Sequence, residues 1–271
     1  MYQDMCLWLV GYSYHPVRML SGVSTSAVYA DVHALRFPIS EQEQRHSARE
    51  FARLSNDGIM RGCVGAIDGW LCPIQVPRRR EVRIVASFFS GHYPRYGINV
   101  RPRVDYHCRF TAISSSSPGG MGDYIAYLHW KLSQLADTFP KGLHLVGDNA
   151  YSNSNTLLTP LRRPHTTIAS RDSSNFLLSQ LRIRVEMAFG LLVNKWRIFK
   201  SPLRVGMKHM GKVIHVACIL HHWCINERLA NHVVFEFQTL AGIAFQASNN
   251  CSRVCFTIFE GFNPARRPSA L

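Results

Sequence analysis

Hydrophobic and polar positions along this chain form short apolar runs closed by polar turns, with two longer stretches of helical period. Cys63–Ile67 is a five-residue apolar run that stops at Asp68-Gly69, and it reads as a buried strand. Residues 71–76 give its partner, ended by Pro77. Two more strands are expected over 97–100 and 106–114. Arg101-Pro102-Arg103 is an awkward interval between them, because proline removes a ladder donor and belongs at an edge or bulge. Residues 114–122 are rich in Ser, Pro and Gly and read as a loop, after which Asp123 caps a helix over 124–135. Residues 143–146 form another short buried strand, ending at Gly147-Asp148. In 175–194, Leu181, Val185, Ala188 and Leu192 recur at steps of four, three and four, which aligns them on one helical face. Glu186 lies at the edge of that stripe, with Arg182 one turn before it. A last core helix spans 211–229.

Outside this region the pattern divides the chain further. Residues 1–55 read as a helical segment. Within it, Ser21-Gly22 separates an apolar turn at 17–20 from a helix over 27–35 that Ser24 or Thr25 can cap. That order fits a helix-turn-helix presenting Ser26, Tyr29, Asp31 and His33 to DNA, and equally an ordinary helical hairpin. A polar helix over 40–54 links it to a main domain at 60–230. Residues 231–271 form a C-terminal extension whose Pro- and Arg-rich end reads as loose. Strands alternating with helices in the main domain predict an α/β fold with a mixed sheet flanked by helices.

Charge changes the picture more than composition does. Of 271 residues, 31 are basic and 17 acidic, a surplus that favours a polyanionic partner, either nucleic acid or a membrane surface. No uninterrupted apolar run approaches membrane-spanning length, which lowers the membrane option, and an ordinary basic protein stays open beside nucleic acid. The eight cysteines are scattered through the chain and read as free thiols of a reducing compartment. Cys218, His221, His222 and Cys224 miss zinc-site spacing and read as helix residues of the core or surface. The phosphate-binding loop of nucleotide hydrolases is absent.

Against this basic background the acids at strand ends stand out. An Asp leaving a buried strand beside Gly is either a turn former or a metal ligand. Asp68 and Asp148 both have that setting, and Glu186 could reach across from its helix. Three carboxylates at close range repel one another, and divalent cations relieve the repulsion. Oxygen donors select Mg²⁺ or Mn²⁺, and two such ions about 4 Å apart can cleave a phosphodiester. Arg78, Arg79, Arg80, Arg182, Lys195 and Arg197 are candidates for holding the DNA phosphates. Asp105 reads as structural and Asp123 as mainly a helix cap, either of them able to support the metal ligands from behind.

The order of these pieces resembles the Harbinger-type DDE superfamily transposases, the plant- and fungus-like branch related to a domesticated animal nuclease. The resemblance rests on Gly62 to Gly69, Gly91 to Val100, Pro118-Gly119-Gly120 through Asp123, Gly147 to Tyr151, Ser179 to Gly190 and Lys195-Trp196-Arg197. Asp148 follows Asp68 by 80 residues and Glu186 follows by a further 38. It implies an RNase H-like core and a metal-binding catalytic triad of Asp68, Asp148 and Glu186. It also implies an endonuclease or transposase acting on double-stranded DNA at transposon ends, in the nucleus, as a homo-oligomer or with a Myb-like DNA-binding partner. The chain departs from its relatives at Trp70-Leu71, Arg101-Pro102 and Leu220-His221-His222. Those departures keep open a second expectation, a domesticated or degenerate DNA-binding relative without catalysis.

Overall fold

The computed structural model describes residue 35 and residues 37–55, 58–161 and 168–226. The helix-turn-helix expected within the first 35 residues and the extension over 231–271 lie outside them. In chain order the elements are α1 (Glu41–Ala52), β1 (Cys63–Ile67), β2 (Trp70–Pro73), β3 (Phe89–Ser90), β4 (Arg95–Val104), β5 (Phe110–Pro118), α2 (Asp123–Leu128), α3 (Lys131–Ala136), β6 (His144–Val146), β7 (Leu157–Leu158), α4 (Ile168–Lys195) and α5 (Met207–Asn226).

Every residue of β1 is buried, as its unbroken apolar run requires. It pairs antiparallel with β4 and parallel with β6, and β6 pairs in parallel with β7. β5 and the short β3 also pair with β4. The result is a mixed sheet with helices packed against it, as the alternating pattern predicts. α1 starts at a capping box in which Ser40 and Glu43 satisfy each other's backbone N–H groups. It docks on β1 through Ser47 Oγ, which donates to Val64 O at 3.0 Å. One cluster joins Ala48 of α1, Tyr127 of α2 and Leu132 and Ala136 of α3 to Val64, Leu145 and Leu157 of the sheet. An aromatic cluster joins Trp70 and Phe110 to Phe189 of α4 and His221 of α5.

The structure corrects four expectations. The strands at 63–67 and 71–76 are not each other's partners, since β1 and β2 both pair with β4. The strand expected over 97–100 does not stop at Arg101-Pro102-Arg103 but runs on to Val104, with register shifts on either side of that interval in the β5 ladder. Ile67 pairs with Arg103 and Trp70 with Val100. β1 and β2 therefore follow β4 in one register, and the Asp68-Gly69 break falls opposite Pro102 and Arg101. The proline sits where the ladder is already interrupted, so its missing donor costs little there. Ser114 to Ser117 belong to β5 rather than to a loop, because the two inward hydroxyls at 114 and 117 accept from the buried Arg101. The helix expected over 124–135 is two helices with a bend at His129-Trp130, which turns both Tyr127 and Leu132 into the same core.

Among the described residues the five cysteines are buried free thiols, and no helix is long and apolar enough to cross a membrane. His221 is not part of a metal site. It hydrogen-bonds Cys108 O through Nε2 at 2.9 Å and lies against the Phe110 ring. Burial pushes its pKa down to about 4. The unfolded chain takes up a proton there near pH 6.5 and the folded chain does not. Stability from this group is complete above that pH and falls as pH drops from 6.5 towards 4, by at most about 3 kcal/mol. His221→Gln keeps a donor in place without titrating. Urea midpoints measured from pH 7 to 4.5 should fall less steeply in the variant, and identical slopes would remove His221 from the account.

Candidate active site

The register of the sheet assembles the first two acids. Ala66 of β1 pairs with Val146 of β6 in parallel. Two residues further along each chain come Asp68 and Asp148, so the acids leave adjacent strands side by side, with the strands about 4.8 Å apart. Each uses Oδ1 to shape its own turn. Asp68 Oδ1 accepts from Gly69 N at 2.7 Å, and Asp148 Oδ1 accepts from Ala150 N at 3.0 Å. The turn-former and ligand readings are thus compatible, since each turn engages Oδ1 of its carboxylate.

Glu186 arrives from α4, one turn after Arg182. Arg182 is no part of an open basic face. Its guanidinium stands 2.5 Å from Glu186 Oε1 and 3.7 Å from Asp68 Oδ2, with only 13% of the side chain exposed. Burial, then the neighbouring Asp148 and Glu186, push the Asp68 carboxyl up to about 8, against the opposing pull of Arg182. Arg182 therefore lies between Asp68 and Glu186 as an internal cation, and Asp148 is near enough to raise the Asp68 carboxyl. Among the described residues no group of three His, Cys, Asp or Glu side chains is already set to hold a metal ion. Hard carboxylate oxygens gathered about a guanidinium are nevertheless a donor set that suits a small divalent cation, with Arg182 in the position of a stand-in charge.

A further acid borders this group. Asp123 is the first residue of α2, and the N-cap is Gly122, which corrects the expectation that Asp123 caps the helix. Its Oδ1 instead accepts from Asn99 Nδ2 at 2.8 Å, and the same amide donates to Met121 O at 2.9 Å. The Asp123 carboxyl lies so close to Gly69 that any side chain at 69 would collide with it. Tyr151 is 3% exposed, and its hydroxyl makes no hydrogen bond. Burial first, then Asp68, Asp123 and Asp148, hold its pKa well above the usual value for tyrosine. Asn99 and Tyr151 were not singled out as site residues in the sequence. A polar Asn between Ile98 and Val100 in a buried strand, and a Tyr three residues after Asp148, were the signals available.

The remaining candidates lie elsewhere. Asp105 closes the β4–β5 turn, accepting from the backbone N–H groups of His107 and Arg109 at 2.9 Å and pairing with Arg109 Nε at 2.7 Å. Arg78, Arg79 and Arg80 are exposed in the loop after β2. Lys195 ends α4 nine residues beyond Glu186, about 14 Å along the helix axis, with its ammonium near the Trp196 ring. Arg197 follows it, exposed.

A family model described as DDE superfamily endonuclease matches residues 67–222, which span all three acids. Among curated proteins the chain is similar to "Putative nuclease HARBI1" of Bos taurus, 24% identical over 212 residues, and of Homo sapiens, 23% identical over 212 residues. The protein of the same name from Rattus norvegicus is 24% identical over 209 residues. Each match covers 76% of this chain and 57% of the relative, so the chain spans little more than half the length of the curated relatives it matches. No solved structure matches the chain.

Proposed function

The chain belongs to the DDE superfamily endonucleases, and from that premise we propose that it is a metal-dependent DNA endonuclease of the transposase type, with Asp68, Asp148 and Glu186 as its catalytic acids. Endonucleases of this superfamily use divalent metal ions. In this reading the three carboxylates hold Mg²⁺ or Mn²⁺, as two ions, on an RNase H-like core. When bound, such ions activate a water or 3′-hydroxyl and neutralise the leaving oxygen of a phosphodiester. The observation that carries the reading is the convergence of Asp68 and Asp148 from adjacent strands with Glu186 on α4.

The chain's own residues have distinct parts in this account. Asp68 and Asp148 each hold a turn through Oδ1, which fixes the direction of the carboxylate that would ligate a cation. Arg182 balances the acids until that cation arrives. Asn99 orients Asp123 against the Gly69 turn, so that the Asp68 backbone stays in place. Arg78, Arg79 and Arg80, with Lys195 and Arg197 further off, receive phosphates of double-stranded DNA. Cleavage at transposon ends, a nuclear location, self-association and a Myb-like DNA-binding partner go with this reading and are supported by the family resemblance alone.

A second reading, a DNA-binding relative without catalysis, is favoured by the Arg182 guanidinium among the acids and by the departures at Trp70-Leu71 and Arg101-Pro102. One experiment separates the two. The purified chain is incubated with supercoiled and linear DNA, with and without Mg²⁺ or Mn²⁺, beside Asp148→Ala. Metal-dependent cutting by the native chain and not by the variant is the expected result. Salt-dependent binding without cutting would select the second reading, and failure to bind DNA would end both.

A further inference from the structure

We propose that the β3–β4 hairpin, residues 89–96, is a separate nucleic-acid contact that stacks unpaired bases of a DNA end some way along β4 from the cleavage site; this rests on the DNA endonuclease reading above. The hairpin is short, with Phe89 opposite Tyr96 and Ser90 opposite Arg95. It presents aromatic rings to solvent. Phe89 and Tyr93 are each 42% exposed, although a ring buried on folding would stabilise the chain more. The edge contact between Phe89 and Tyr96 explains part of the hairpin's own cohesion. His92 adds a third ring, set edge-on to Tyr93 with centroids 4.6 Å apart.

Charge around the hairpin has one sign. Arg78, Arg79, Arg80, Arg83 and Arg95 lie within residues 75–96, where Glu81 is the single acid. Glu81 is engaged in the fold, its carboxylate accepting from the backbone N–H groups of Arg78 and Met207. The Arg95 guanidinium on the same hairpin as the exposed rings matches a backbone phosphate next to an open base face. A continuous duplex hides its base faces, so the rings point to unpaired nucleotides rather than to duplex DNA.

The hairpin is also tied to the acids. Gly120 N donates to Ser87 O at 2.8 Å, and Gly119 N donates to Gly97 O at 2.9 Å. Three residues after Gly120 comes Asp123, which lies against Gly69 beside Asp68. The loop that reaches the site thus rests on both roots of the hairpin, before Phe89 and after Tyr96. Phe89 pairs with Tyr96, six residues along β4 from the Pro102 that lies opposite Asp68, or about 20 Å of strand, a span that several frayed nucleotides of an end left at the acids would cover.

The test uses the full chain without added metal and two DNAs of one sequence, a blunt duplex and a duplex with a short overhang carrying 2-aminopurine. The expected result is about tenfold tighter binding to the overhang DNA, with quenching of 2-aminopurine fluorescence. Phe89→Leu and Tyr93→Leu together keep apolar bulk without a ring, and should remove both the preference and the quenching. Arg79→Ala with Arg80→Ala should instead weaken binding to both DNAs and flatten its dependence on salt. Equal binding of the two DNAs by the native chain, or a preference that survives the leucine changes, would overturn the hairpin contact and leave the nuclease reading standing. Failure of the native chain to bind either DNA would remove the nuclease reading itself.

Discussion

Asp68→Asn is expected to lower metal-dependent DNA cleavage by about a thousandfold or more and, in the same protein without metal, to raise the melting temperature. The two effects have one cause. Burial and the nearby Asp148 and Glu186 push the Asp68 carboxyl up to about 8. Ionising it inside the fold is unfavourable unless a cation is present. Between the ordinary carboxylate range near pH 4 and about pH 8, the folded chain holds a proton that the unfolded chain has released. Stability of the metal-free protein therefore falls as pH rises through that window. An amide at position 68 has no such slope. The gap between variant and native melting temperatures should be small near pH 4 and widest at pH 8 and above, where the stability difference behind it reaches on the order of a few kcal/mol. Metal binding requires the ionised carboxyl, so adding Mn²⁺ to the native protein at pH 7 should release a proton and should raise its melting temperature more than the variant's. A variant that still cuts DNA, or a gap that narrows as pH rises, would remove Asp68 from the centre of the site.

The parts of this site that sequence could reach are those fixed by local pattern. Cys63–Ile67 is apolar without interruption and reads as an inner strand, so Asp68 had to sit where that strand ends. The run before Asp148 gives the same inference, and the neighbouring positions of the two strands follow from parallel pairing. The stripe of Leu181, Val185, Ala188 and Leu192 located α4, hence the side on which Glu186 stands. Where sequence reading went astray, a distant partner decided the outcome. Arg182 looked like a phosphate ligand because arginine on a basic chain usually faces solvent, yet Asp68, far back in the chain, draws it inward. The helix at 124–135 bends because Tyr127 and Leu132 must meet one core cluster, which periodicity alone does not reveal. Asp123 has the composition of a helix cap, and only Asn99, on a strand 24 residues earlier, turns it towards Gly69.

Arg101 and Arg103, which in sequence look like an interruption between strands, lie buried within β4. Alternate residues of β4 face the same side, and both guanidinium groups are fully buried. Arg103 donates to Thr111 Oγ1 at 2.5 Å and to Val64 O, and it lies 4.7 Å from the centre of the Phe37 ring. Gly65 makes room for it, since a Cβ there would strike the guanidinium. Burial lowers its pKa to about 10, so it remains charged at neutral pH. Its partners do not depend on it alone. Val64 O also accepts from Ser47 Oγ, and Thr111 Oγ1 also donates to Arg103 O. Removing the charge should therefore orphan little, whereas removing the volume should leave a cavity in the middle of the sheet. Arg103→Ala is expected to cost about 3–5 kcal/mol of stability, and Arg103→Met, which restores most of the length, about 1.5 kcal/mol or less. Urea unfolding of the two variants measures the difference. Equal large losses would mean that the buried cation itself holds β4 to β1, and the awkward Arg-Pro-Arg sequence would then owe its place to charge rather than to shape.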